Sequence, residues 1–128
     1  MSTIATNIAK VGTRIREAAQ AAERDPDEVL LLAVSKTQPA EAIREASEAG
    51  LHDFGENYLQ EALEKQAELA DLPLVWHFIG PIQSNKTKMI AEHFDWVHSV
   101  DRLKIAQRLS DQRPEHLPPL NLCLQVNV

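Results

Sequence analysis

Residues Leu30–Pro39 read LLLAVSKTQP, an apolar run that ends in a single lysine before a turn and a proline. The run has the length and composition of a parallel β-strand buried on both faces. Lys36 then stands at the carboxyl end of that strand, where α/β proteins bind their ligands. Desolvation at this place favours the neutral amine, a good nucleophile toward an aldehyde. The alternative is a strand-end lysine whose long stem carries the charge into water, and this stretch alone favours it.

The chain on both sides of this strand alternates helical and extended patterns. Apolar periodicity predicts helices at about residues 3–23, 40–49, 58–70 and 84–93 and another from about 103 onward. Strands are predicted at about residues 29–35, 51–54, 74–79, 94–100 and 121–128. Asp101 has the side chain of an N-cap for the last helix. A helix between each pair of strands predicts parallel βαβ units with right-handed crossovers.

The last predicted strand distinguishes two architectures. Its apolar positions alternate with polar ones that include Gln125 and Asn127. A central strand of an open doubly wound sheet would be apolar on both faces, whereas a barrel strand can turn one face toward a polar interior. We therefore predict an α/β fold, a (β/α)8 TIM-type barrel of which residues 1–128 form one domain with roughly the first five strands. Since five strands cannot close a barrel, we expect a longer protein; the alternative is a complete, open five-stranded sheet.

Composition narrows the functional classes. The chain has 128 residues, a net charge of -6 and a pI of about 5.3, which argues against a nucleic-acid or anionic-membrane partner. Cys123 is the single cysteine, so no internal disulfide forms and a buried, inert thiol is expected. A polar N-terminus and the absence of a long apolar stretch predict a cytoplasmic protein. The sequence leaves the oligomeric state open and favours a monomer.

Three further residues are candidates for the site. Asn57 follows the second predicted strand, His77 lies inside the third, and Ser99 lies near the end of the fourth. Asn57 could bond a cofactor or substrate hydroxyl, or could instead cap the next helix. His77 could exchange protons near neutral pH, although a histidine inside an apolar strand is more often hydrogen-bonded in a core. Ser99 could bond a phosphate or a backbone group. The chain has neither a glycine-rich phosphate loop nor a His-x-x-x-His metal pair.

Five motifs follow one another in a characteristic order. They are Ala33-Val34-Ser35-Lys36-Thr37, Phe54-Gly55-Glu56-Asn57-Tyr58, Trp76-His77-Phe78-Ile79-Gly80 with Gln83 and Asn85-Lys86, His98-Ser99-Val100-Asp101, and Gln125-Val126-Asn127. Through them nearly the whole chain resembles the pyridoxal phosphate homeostasis protein family (YggS/PROSC-like), which is similar to the barrel domain of alanine racemase.

The resemblance implies a (β/α)8 barrel that holds pyridoxal 5′-phosphate (PLP) through a Schiff base on Lys36, which reverses the preference for a solvated lysine. It also implies that Asn57 lies beside the cofactor ring and that His77 and Ser99 line the same rim. In the family, later strands supply most of the phosphate cradle and an arginine facing the pyridine nitrogen. Those strands are not in this sequence, so either the protein is longer or its cofactor binding is impaired.

The function implied by the resemblance is reversible binding and buffering of PLP in the cell without a reaction of its own. The alternative is a racemase-like enzyme acting on amino acids, with Tyr58 and His77 as candidate proton-moving groups. A Schiff-base aldolase fits the motif order less well. A structural or partner-binding role would leave Lys36 without chemical importance.

Overall fold

The computed structural model describes residues 2–128 as five helices and five strands. The helices are α1 (Thr3–Ala21), α2 (Ala40–Glu48), α3 (Leu59–Glu68), α4 (Thr87–His93) and α5 (Leu103–Gln112). The strands are β1 (Ala33–Val34), β2 (Asp53–Glu56), β3 (Val75–Phe78), β4 (Trp96–Val100) and β5 (Asn121–Leu124). Two short 3-10 helices span Pro26–Glu28 and Ser84–Lys86.

All five strands pair in parallel, and their order in the sheet is their order in the chain, β1-β2-β3-β4-β5. A doubly wound sheet reverses direction at a switch point, whereas the strands of a (β/α)8 barrel follow one another in a single direction. The sheet therefore has the topology of consecutive barrel strands. The predicted fold class is confirmed, and the sheet order decides it.

The apolar core lies between the sheet and the helices. Phe54, Trp76, Phe78 and Val97 supply the strand side, and they pack with residues of α2, α4 and α5 that include Ile43, Ile90, Ile105 and Leu109. Side chains alternate between the two faces of a strand. Asp53, Gly55 and His77 therefore belong to the opposite face of the sheet.

The first strand is shorter and more exposed than its sequence predicts. Only Ala33–Val34 form strand, and Val29, Leu30 and Val34 are 44%, 61% and 53% exposed. The prediction of a strand from residue 29 that is buried on both faces is therefore wrong. The physical reason is position, because β1 lies at the edge of the sheet and pairs with β2 alone.

The last predicted strand and a predicted cap also need correction. β5 ends at Leu124, which is 75% exposed, so the alternation read through Val128 does not correspond to a strand. α5 begins after Arg102 without a side-chain cap bond, so Asp101 is not its N-cap. The thiol of Cys123 was expected to be buried, but Cys123 is only partly buried. Within residues 2–128 no helix combines the length and the apolar character that a membrane crossing requires.

Candidate functional site

Four residues at or next to the carboxyl ends of β1 to β4 form what we call the strand-end rim: Lys36, Asn57, Gly80 and Ser99. Parallel strands bring their carboxyl ends to one edge of the sheet, which explains why residues so far apart in sequence share this edge. Ligands of α/β proteins bind at this edge. The strand-end rim is therefore the candidate site.

Lys36 lies in the turn that follows β1. The backbone N–H of Ser35 donates to Gly55 O (2.9 Å), and the N–H of Gln38 donates to Ser35 O (3.1 Å), so the turn is closed and tied to β2. Thr37 has a φ of 64°, a left-handed conformation that is unusual for a β-branched residue. The Lys36 side chain is exposed. The Lys36 amine is therefore accessible from solvent, as the alternative of a strand-end lysine whose stem carries the charge into water predicts, and the desolvated amine considered from sequence is absent.

Asn57 and Gly80 bring the ends of β2 and β3 into close contact. A Cβ on Gly80 would lie 2.5 Å from Asn57 Cβ and 2.9 Å from Asn57 O, so only glycine fits. Asn57 does not cap α3, because the N-cap position is Tyr58. Its buried Oδ1 has no hydrogen-bond partner among residues 2–128. An unsatisfied buried acceptor is costly, and no group of the described residues satisfies this one.

Ser99 sits in a local irregularity of β4. Its φ is 50°, and the pairing register of β4 with β5 shifts between Val97 and Val100. The Ser99 hydroxyl donates to Ile79 O (3.2 Å), beside Gly80. Two roles were considered for the Ser99 hydroxyl, a bond to a phosphate and a bond to a backbone group. The structure shows the bond to a backbone group.

Three polar residues on the face of the sheet away from the helices form what we call the inner triad: Asp53, His77 and His98. Asp53 Oδ2 lies 2.8 Å from His77 Nε2, and His77 Nδ1 lies 3.0 Å from His98 Nε2. The His77 ring is 2% exposed and stacks on Trp96 at 5.6 Å between centroids. The carboxylate can only accept, so His77 Nε2 donates to it. Burial lowers the pKa of His98, and His77 lowers it further.

Four residues on the helix side of β1 and β2 form what we call the outer network: Ser35, Glu56, Glu61 and Lys65. Lys65 Nζ contacts Glu56 Oε2 (3.0 Å) and Glu61 Oε1 (2.7 Å) and donates to Ser35 O (2.8 Å). The Ser35 hydroxyl donates to Glu56 Oε2. The side chains of Lys65 and Glu56 are 8% and 0% exposed, so this ion pair is enclosed between the sheet and α3.

Known proteins share the sequence and the architecture of this chain. Residues 6–128 match the family model described as alanine racemase, N-terminal domain. The chain belongs to this family. It is 83% identical over 128 residues to the pyridoxal phosphate homeostasis protein of Pseudomonas aeruginosa and 55% identical over 131 residues to that of Escherichia coli. Each alignment covers all of this chain and 56% of the relative, so this member of the alanine racemase N-terminal domain family spans little more than half of those relatives' length.

Two solved structures resemble this family member. PipY of Synechococcus elongatus without PLP superposes with a TM-score of 0.76 at 50% identity, covering 89% of this chain and 54% of PipY. PipY with PLP bound gives a TM-score of 0.64 at 52% identity, covering 76% of this chain and 46% of PipY. The chain therefore matches about half of PipY in both structures.

The candidate site residues from the sequence fall into two groups in the structure. Lys36, Asn57 and Ser99 lie at the strand-end rim of this alanine racemase N-terminal domain. His77 lies inside β3, level with Gly55 in the register, and its two ring nitrogens are engaged with Asp53 and His98. This placement corresponds to the hydrogen-bonded core histidine considered from sequence.

The outer network was missed from sequence, although two signals point to it. Ala62 and Lys65 of α3 and its C-cap residue Leu69 follow one another at spacings of three and four, and all three are buried. A lysine on an apolar helical stripe needs a buried partner. Glu56 supplies it, and a carboxylate that directly follows the buried Phe54-Gly55 pair is the second signal.

Proposed function

We propose that this chain is part of a protein that binds PLP reversibly through a Schiff base on Lys36 and so buffers the cofactor, without a substrate reaction of its own. The observation that carries the proposal is the exposed amine of Lys36 at the carboxyl end of β1 in a fold of this family. Relatives named pyridoxal phosphate homeostasis proteins and the PLP-bound PipY structure support it.

The residues at the strand-end rim fit the aldehyde and ring of PLP. Lys36 offers a primary amine to an aldehyde, and the amide N–H groups of Asn57 are donors that suit a ring hydroxyl. No loop within residues 2–128 resembles a glycine-rich phosphate cradle. We therefore propose that the phosphate is held by the part of the relatives that this chain does not span.

The chemistry required of the protein is modest. PLP supplies an aldehyde that condenses with an amine with loss of one water. Lys36 Nζ supplies the electron pair, and the condensation is reversible by hydrolysis, as a carrier requires. The closed turn at Ser35–Gln38 keeps the amine at the strand-end rim, and Asn57 orients what binds there.

The test is an absorption spectrum with one equivalent of PLP, followed by borohydride reduction and peptide mapping. It uses this chain and the same chain extended by the C-terminal remainder of the Pseudomonas aeruginosa relative. We expect a shifted band and a reduced label at Lys36. Lys36→Ala should lower labelling by at least about tenfold, while Lys104→Ala, which changes an exposed lysine of α5, should not. Labelling spread evenly over the lysines of the extended chain would contradict the proposal.

A racemase-like activity receives less support. His77 is buried and bonded to Asp53 and His98, and Tyr58 remains as the exposed candidate for moving a proton. Deuterium exchange at the α-carbon of amino acids in the PLP-loaded extended chain would test this activity. Exchange that disappears in Tyr58→Phe would favour the enzyme over the carrier.

A further inference from the structure

The turn that carries Lys36 is held on both sides by α3. Before Lys36, the carbonyl of Ser35 accepts from Lys65 Nζ (2.8 Å). After Lys36, the backbone N–H of Thr37 donates to Glu61 Oε1 (2.7 Å). Lys65 and Glu61 are one helical turn apart and in contact with each other. The two anchors of the turn are therefore a single unit.

Lys65 is the centre of that unit. An ammonium has three donors, and Lys65 directs them at Ser35 O, at the carboxylate of Glu56 and at Glu61. Replacing both members of a buried ion pair with apolar side chains of similar size is often neutral or stabilising. A buried ion pair is thus poorly explained by stability alone, and its contacts converge on the residues that flank Lys36.

The backbone that the network holds is strained. A φ of 64° at Thr37 places a β-branched residue in the left-handed region, and such conformations persist only where surrounding contacts enforce them. The bond from the Thr37 N–H to Glu61 is such a contact. The hydrogen bond from Lys65 lowers the pKa of Glu61, so Glu61 accepts as a carboxylate at neutral pH.

We infer that Lys65, acting through Glu56 and Glu61, is a positioning residue for Lys36. It fixes the backbone on both sides of Lys36 and so directs the amine toward the strand-end rim. Lys65 itself touches neither cofactor nor reacting atoms. The inference rests on the proposed function, since the position of Lys36 matters only if its amine reacts.

Two variants test the inference. Glu61→Ala removes the acceptor of the Thr37 N–H and leaves the buried Lys65–Glu56 pair in place, and Lys65→Met removes the centre of the network. Arg113→Met is the matched control, because Arg113 also holds backbone carbonyls (Ala91 O at 2.7 Å, Phe94 O at 2.6 Å) but contacts no residue of the Lys36 turn. All three are made in the extended chain described above.

The first measurement needs no cofactor. Amide hydrogen exchange at Thr37 should be faster by about tenfold or more in Glu61→Ala and Lys65→Met, and unchanged in Arg113→Met. The second measurement is the rate of reducible label formation at Lys36 with PLP. It should fall by about tenfold in both network variants and stay unchanged in the control. If Lys65→Met does not fold, Glu61→Ala decides.

The outcomes separate the two proposals. If the native extended chain gives no label at Lys36, the proposed function is wrong, and the inference about Lys36 chemistry is wrong with it. If the native chain is labelled at Lys36 and folded Glu61→Ala is labelled at the native rate, only the positioning role is wrong. Faster exchange at Thr37 together with an unchanged labelling rate leads to the same conclusion.

Discussion

The two faces of β2 carry polar groups with different physical tasks. Toward the helices, Glu56 pairs with Lys65 in a site that excludes water. On the other face, Asp53 bonds the His77 ring, which in turn bonds His98. The outer network holds backbone atoms of the Lys36 turn, whereas the inner triad holds side chains. β2 therefore contributes to both clusters. Through Glu56 it belongs to the outer network, which holds the backbone of the Lys36 turn. Through Asp53 it bonds His77 and so holds the His77–His98 pair.

The largest difference between the two faces should be in stability. Lys65→Met leaves the carboxylate of Glu56 buried without a counter-charge, and the free energy of unfolding should fall by about 3–5 kcal/mol. Urea unfolding followed by circular dichroism measures it. The double variant Glu56→Gln/Lys65→Met is the control and should regain most of the loss, because neither buried charge remains. A loss below about 1 kcal/mol in Lys65→Met would mean that Glu56 is not desolvated in solution.

The contact between the ends of β2 and β3 should be less costly to disturb. Gly80→Ala places a methyl group against the backbone of Asn57, which cannot move away as a flexible side chain could. Overpacking of this kind costs about 1–3 kcal/mol of unfolding free energy. Gly12→Ala is the matched control, since a Cβ at this helical position meets nothing within 4 Å, and it should be neutral or stabilising. Equal effects of the two substitutions would contradict the close contact.

Removing the charge of the inner triad should lower the free energy of unfolding by a smaller amount. Asp53→Asn keeps the shape and a hydrogen bond to His77 but replaces a charged acceptor with a neutral one, so the cost should be about 1 kcal/mol. The Asp53 side chain is 15% exposed, in contrast to the fully buried Glu56. The same urea experiment measures this variant. A loss as large as that of Lys65→Met would remove the contrast between the faces.

The sequence predicts the elements of the fold far better than their exposure. The helix and strand order, including α2 and β3 to within about two residues, follows from apolar periodicity and from the Gly and Pro breakers. Exposure does not follow, because it depends on neighbours. Leu30 and Leu124 belong to apolar runs, yet Leu30 precedes the edge strand β1, Leu124 ends the edge strand β5, and they are 61% and 75% exposed. Local pattern cannot reveal which strands are edge strands.

The candidate site is predictable in part for the same reason. Lys36 and Asn57 could be identified from sequence because a residue within a position or two of the end of a strand falls at the strand-end rim in any parallel sheet. The contacts of Lys65 and His77 depend on which strands and helices become neighbours. Sequence showed that His77 was in an apolar strand, but not that Asp53 and His98, on the two adjacent strands, reach its two ring nitrogens.

The smallest expected effects are on the pH dependence of the free energy of unfolding. The two faces of the sheet should contribute to it in different pH ranges. The pKa of His98 is lowered by burial and by His77, so the unfolded chain binds its proton at a higher pH than the native one. The stability due to neutral His98 is complete above about pH 6.5 and is lost as the pH falls through the native value. The lowered pKa of Glu61 acts in a more acidic window, because its contribution is present above about pH 4.5 and is lost below it.

Unfolding free energies measured by urea between pH 7.5 and pH 3.5 test this separation. His98→Gln should flatten the profile just below pH 6.5 and leave the acidic part unchanged, and Glu61→Gln should do the reverse. The native chain at each pH is the reference, and His116→Gln is the matched control because His116 is an exposed histidine outside both clusters. If His98→Gln and His116→Gln changed the upper part of the profile equally, burial of His98 would have no energetic consequence. The contrast between the faces would then rest on the outer network alone.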